Sequence, residues 1–206
     1  MRLIAALLLA LGLALTSVPD ARAVEEPDWT LVYRDGALEV RDYAPVVVAE
    51  TDVSGERGAA INEGFRRLAR YIFGGNAPNR EIAMTAPVTQ RANGRRIAMT
   101  APVSQAPGTA GWTVTFVMPK GSRLEAMPAP LDPEVVLREQ PARRIAALRF
   151  SGFATRSSLE KNATELRDRL AFRGETVVGA ESYAFYNPPW TLPWLRRNEI
   201  VVEIRR

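Results

Sequence analysis

The 206-residue chain has no Cys and no His, and its 27 Lys plus Arg against 23 Asp plus Glu leave a formal net charge of +4. Disulfides, thiolate catalysis, His-dependent triads, Cys or His zinc sites and His-ligated haem are thereby excluded. The pI near 9.8 rests almost wholly on Arg, Lys120 and Lys161 being the only lysines. So small a surplus argues for no nucleic-acid partner.

The N-terminus places Arg2 before an apolar run at 3–15 and then Ala21-Arg22-Ala23, the order of a secretory signal peptide with a small-x-small cleavage site. The run is shorter than the ~20 residues that span a bilayer, so no membrane span is expected. Residues 1–23 are read as the leader and 24–206 as one domain in a periplasmic or secreted protein.

After a short acidic leader, LEVRDYAPVVVAETDVSG (38–55) is apolar and β-branched around one proline and reads as a strand pair or one bent strand. Next, Ile61, Phe65, Leu68, Ala69 and Ile72 recur at helical spacing, with Asn62, Arg66, Arg67 and Arg70 on the solvent side. Gly74-Gly75-Asn76 is the helix stop.

The phrase IAMTAPV then occurs twice, at 82–88 and 97–103, around Asn93-Gly94. A two-residue Asn-Gly hairpin pairs residues whose numbers sum to 187, opposing Met84 to Val103 and Val88 to Met99. Ile82, Met84, Ala86 and Val88 then share one face with Ile97, Met99, Ala101 and Val103, a single apolar wall. Pro87 and Pro102 interrupt the ladder. GWTVTFVMPK (111–120) continues as a strand.

A longer repeat follows. VVLREQPARRIAALRFSG (135–152) aligns with 38–55 at an offset of 97, matching Arg41 with Arg138, Ala49 with Ala146 and Ser54-Gly55 with Ser151-Gly152. A second helix follows it, with Leu159, Ala163, Leu166 and Leu170 on one stripe. Strand-helix-strands therefore occurs twice, over about 38–120 and 135–204. The expected architecture is α+β, with two half-sheets closing on each other and a helix packed on each. The stretch around Pro128, Pro130 and Pro133 connects the halves.

YIFGGN, IAMTAPV, FVMPK, FSGF and YNPPWTLPWLRRNEIVVEI, in that order across about 31–204, resemble the SOUL haem-binding family. The resemblance implies a distorted β-barrel flanked by two helices, from a pseudo-duplicated unit shared with effector-binding domains of transcription regulators. It also implies binding of haem or another tetrapyrrole without a known catalytic reaction. The family holds the macrocycle beside the first helix, at positions matching Phe65, Arg66, Arg70, Tyr71 and Ile72. The hairpin wall would add Met84, Val88 and Met99, with guanidiniums meeting the propionates.

Each of these residues also has a plainer role. A Met and Ile stripe serves as ordinary core, three arginines serve as a solvated helix face, and Arg196, Arg197 and Glu199 hold the loop containing Trp190 and Trp194. Without His, an iron ligand is limited to Met, Tyr, Lys, water or none, so the cofactor is expected to be held non-covalently by apolar capture. No paired-carboxylate constellation stands out, Glu63, Glu81 and Glu199 lying singly in or beside the motifs, and no catalytic residue is assigned. The expected role is a tetrapyrrole carrier or buffer; the alternative is a periplasmic effector-binding module for other amphipathic small molecules.

Overall fold

The chain forms, in order, β1 (Trp29–Asp35), β2 (Leu38–Tyr43), β3 (Val46–Ser54), α1 (Arg57–Ile72), β4 (Asn76–Ala77), β5 (Val88–Asn93) and β6 (Gly111–Val117), then β7 (Ala129–Pro130), β8 (Val136–Gln140), β9 (Arg143–Phe150), α2 (Arg156–Phe172), β10 (Ser182–Phe185) and β11 (Asn198–Ile204). The computed structural model describes residues 25–93, 111–188 and 190–206. The predicted leader and the second IAMTAPV copy, Met99 included, lie outside them. No helix among the described residues is long and apolar enough to cross a membrane.

Nine strands make one curled sheet in the order β1-β2-β9-β11-β10-β5-β6-β3-β8. The 97-residue offset maps β2 onto β8 and β3 onto β9, and the sheet order is symmetric about the β10-β5 junction. The halves also exchange strands: β2 of the first pairs with β9 of the second, and β8 of the second pairs with β3 of the first. Gly55 and Gly152, equivalent in the repeat, share the left-handed backbone at φ 101° and 97°, which Gly adopts without a Cβ penalty. The α+β fold, a distorted half-barrel flanked by two helices, is the one expected from the sequence.

Each helix covers its own core on the outer face of the sheet. Leu68, Tyr71 and Ile72 of α1 pack on Ala49, Val114 and Phe116, and Leu159, Leu166 and Leu170 of α2 pack on Val40, Leu148 and Ile200. Thr155 caps α2 by accepting the Ser158 N–H at 3.2 Å, whereas no side chain caps α1. Alternate residues of the same strands turn to the concave face, where Thr89, Thr115, Gln140 and Arg143 are found. Val46, Val117 and Val201 stand among them, so the concave face is mixed polar and apolar.

Two expectations are corrected. The Asn-Gly register fails because both edges of β5 are occupied: Val88 pairs with Phe116 of β6 and with Phe185 of β10, leaving it no place opposite Met99. Nor do residues 82–86 form a ladder strand. The Ile82 N–H donates to Ile72 O (2.8 Å), the Ala86 N–H to Glu25 O (2.9 Å) and the Thr85 hydroxyl to Val117 O, while Pro87 has no N–H to give. The second correction is β1, an additional edge strand in what read as leader. Its residues are mostly exposed, so they carry no period-2 signal.

Candidate functional site

The residues singled out around α1 divide into a floor and a surface. Tyr71 and Ile72 are buried in the α1 core, and the Tyr71 hydroxyl donates to Pro128 O at 3.0 Å. Val88 packs partly buried against the same core. Phe65 lies outward, its ring edge-on to Phe116 at 5.3 Å between centroids. Arg66 is exposed and paired with Glu63 at 2.5 Å, and Arg70 and Met84 are also exposed. Phe65, Tyr71, Ile72 and Val88 thus share one packed unit, while the cations stand in solvent beside it.

A larger concavity opens at the seam between the halves, where Ala92 and Trp112 of the first meet Tyr183, Val177 and Val178 of the second, with α2 as one wall. Its volume is about 1000 Å³. The Trp112 and Tyr183 rings lie 6.3 Å apart, tilted by 38°, and the Trp112 indole N–H donates to Gly55 O at 3.1 Å, which fixes the ring. Val177 and Val178 remain exposed within it. At its edge Arg167 bonds Glu181 at 2.5 Å and the Thr164 hydroxyl at 2.9 Å. A tetrapyrrole is a flat apolar disc with carboxylates at one edge, and an aromatic-lined cleft of this size with a guanidinium at its rim fits one.

Sequence reasoning missed this cleft. Trp112 and Tyr183 stand on strands that meet only through β5, between them in the sheet, so no local pattern joins them.

Glu199 occupies a buried charge network. Its carboxylate accepts two bonds from Arg41 (2.8 and 2.9 Å), one from Arg197 (3.0 Å) and one from the Tyr186 hydroxyl (2.7 Å). Burial pushes the carboxyl up, but the Arg41 bonds and the Arg41 and Arg197 charges outweigh it and hold Glu199 below the usual carboxylate range. Tyr186 is pushed far up by burial and by the Glu199 charge. Through these four bonds the carboxylate ties Arg41 of β2 to Arg197 and Tyr186 of the C-terminal segment. Arg196 joins the same loop: its Nε donates to Thr191 O at 2.7 Å.

Residues 24–203 match the profile described as SOUL heme-binding protein. The human protein named Heme-binding protein 2 is 29% identical over 198 residues, covering 90% of this chain and 88% of its own. Its mouse counterpart is 25% identical over 192 residues, covering 87% and 85%. Among solved structures, the EcmrR C-terminal domain aligns with a TM-score of 0.61 at 9% identity, over 82% of this chain and 97% of its own, a likeness of fold alone.

Proposed function

The chain belongs to the SOUL heme-binding protein family, and on that premise we propose that it binds haem or a related tetrapyrrole without covalent attachment, as an exported carrier or buffer. The observation that carries this reading is the seam cleft of about 1000 Å³ with Trp112 and Tyr183 in its wall. A macrocycle burying on the order of 400 Å² of apolar surface gains roughly 10 kcal/mol before association costs. Arg167 is already held by Glu181, so a propionate meeting it competes with a carboxylate in place. Apolar contact therefore sets affinity and the cation sets orientation.

A second seat is supported by the family resemblance, which puts the macrocycle beside α1. There Phe65 and Met84 are exposed with Arg66 and Arg70 alongside, over the floor made by Tyr71, Ile72 and Val88. At either seat the chain offers no His to iron, so the reading requires capture of the ring and not of the metal.

Haemin titration of the purified protein tests both. A Soret change with quenching of Trp fluorescence is expected. Trp112→Ala should weaken binding at the seam cleft, whereas weakening by Phe65→Ala with Trp112→Ala unaffected would move the seat to α1. Absence of any Soret change, with unaltered thermal stability, would leave the effector-binding module for other amphipathic small molecules.

A further inference from the structure

Five large apolar side chains stand on the surface where β9 and β10 end and β11 begins. Phe153 is exposed in the turn between β9 and α2, and the loop from β10 to β11 adds Leu192, Leu195, Trp190 at 82% exposure and Trp194 at 69%. The two loops touch: the Gly152 N–H donates to Pro193 O at 2.8 Å, and the Arg196 guanidinium lies 5.1 Å over the Phe153 ring. Neither the seam cleft nor the concave cavity on the inner face of the sheet takes any of the five into its lining.

The backbone that displays them is pinned. The Thr191 N–H donates to Pro188 O (3.0 Å), the Leu195 N–H to Leu192 O (2.9 Å), the Arg196 N–H to Pro193 O (3.1 Å) and Arg196 Nε to Thr191 O (2.7 Å), while Pro193 fixes φ within the same turn. The tryptophans therefore face outward from an ordered loop. Nor does the architecture demand an aromatic beside it. At the offset of 97 Phe153 corresponds to Glu56, the residue after the equivalent glycine, whose exposed carboxylate pairs with Arg156 at 3.1 Å. The same corner is built once with a charge and once with a ring. The three aromatics alone leave on the order of 400 Å² of apolar surface in water, the size at which a patch marks an interaction site.

The chemistry of the patch selects its partner. Trp sets an apolar ring beside an N–H donor, the combination favoured at the boundary between bilayer and water, and Leu and Phe suit the acyl layer just beneath. The segments 151–156 and 186–197 carry Arg156, Arg196 and Arg197 and no Asp or Glu, so neither loop repels a phosphate. Arg156 and Arg197 already have Glu56 and Glu26 as partners, which leaves apolar contact as the main attraction. A protein partner must offer a fitted pocket to each projecting tryptophan. A bilayer receives both without one.

We propose that the Phe153 turn and the loop at 190–195 form a peripheral docking surface for a phospholipid bilayer, with Trp190, Trp194 and Leu195 entering the interfacial layer and Arg196 at the level of the phosphates. The surface is separate from both tetrapyrrole seats and stands whether or not haem binds.

Sedimentation with vesicles of phosphatidylethanolamine and phosphatidylglycerol tests it. The protein should start at Val24, because the apolar run at 3–15 would bind lipid by itself, and every described strand and helix is then retained. It should pellet with the vesicles at millimolar lipid, with a blue shift of Trp emission and quenching by brominated lipid. The Trp190→Ser, Trp194→Ser double variant, changed only at exposed side chains, should keep its circular dichroism spectrum and bind about tenfold or more weakly. Trp29 and Trp112 remain in that variant, so loss of the blue shift assigns the contact to the loop. No pelleting or no quenching of the native protein, or equal binding by the folded double variant, overturns the proposal. So does a concentration-dependent dimer, indifferent to vesicles and abolished in the double variant, since the patch would then cover a second copy of the chain.

Discussion

Arg41 and Glu199 stand 158 residues apart in the chain and meet in a two-pronged pair at 2.8 and 2.9 Å, both side chains almost wholly shielded from solvent. Arg41 belongs to β2 of the first half and Glu199 to β11 of the second, so the pair ties the halves together across β9. Arg197 extends it to Glu26 at 2.9 Å, and the Arg41 guanidinium lies 4.7 Å over the Trp29 ring. The segment before β1, the exchanged strand and the C-terminal loop converge on one carboxylate.

Removing that carboxylate leaves the fully buried Arg41 with Glu39 as its remaining carboxylate, at 2.6 Å, and Arg197 with Glu26. Glu199→Ala is expected to cost about 3–5 kcal/mol of unfolding free energy, the range for breaking one partner of a buried pair. Urea melts at neutral pH measure it, and a cost below about 1 kcal/mol would mean that water replaces the carboxylate.

The same pair gives acid sensitivity a sign. The folded carboxyl of Glu199 is depressed, so its contribution is fully present above the unfolded value near 4.3 and is lost as pH falls through the lower folded value. Melts of the native protein should therefore weaken below about pH 4 more steeply than those of Glu199→Gln, whose side chain does not titrate. Parallel slopes for the two proteins would remove Glu199 as the cause.

Gly64 tests the packing of α1. A Cβ there would sit 2.4 Å from Val114 Cγ2, so the helix lies on β6 at a distance only Gly allows. Gly64→Ala should destabilise by about 1–3 kcal/mol through overpacking. Gly58 in the first turn of the same helix has nothing within 4 Å of its Cβ position, and Gly58→Ala should be neutral or stabilising by up to ~1 kcal/mol. Thermal melts of the two variants should move in different directions.

The repeat at offset 97 was legible because Ser54-Gly55 and Ser151-Gly152 preserve the same backbone requirement, and both helices declared themselves through spacing and stops. The hairpin was misread because Asn93-Gly94 reports local turn preference and says nothing of whether a strand is at an edge; β5 lies in the middle of the sheet. The concave cavity was hidden for a related reason. Alternation in VTQRAN and TVTFV marks two faces without saying which one curls inward. Of the residues proposed around α1, helical spacing correctly put Ile72 inward, but it could not show that Arg66 is already engaged by Glu63.

Export predicts a particular N-terminus. Cleavage after Ala23 would leave Glu25 and Glu26 on the mature protein, and both are built into the fold: Glu25 O accepts the Ala86 N–H at 2.9 Å and Glu26 pairs with Arg197. Edman sequencing of the exported protein should read VEEPDW. Recovery of an intact Met1 chain from cytoplasm would refute the leader reading.

The arginines beside α1 test whether charge or apolar contact governs tetrapyrrole capture. Arg66 is mostly exposed and engaged by Glu63, and exposed Arg-carboxylate pairs contribute only ~0–1 kcal/mol. Arg70 is exposed on the same helix. Arg66→Ala and Arg70→Ala should each weaken haemin binding by less than about tenfold, the loss shrinking at high salt as screening weakens exposed pairs. Met84→Leu keeps the apolar volume and should leave affinity within about threefold, and an altered Soret band in that variant would identify the Met84 sulfur as an iron ligand. A hundredfold loss from either arginine substitution, in protein that keeps its circular dichroism spectrum, would mean that the guanidinium is desolvated against the ligand at α1. The seam cleft would then no longer be the seat.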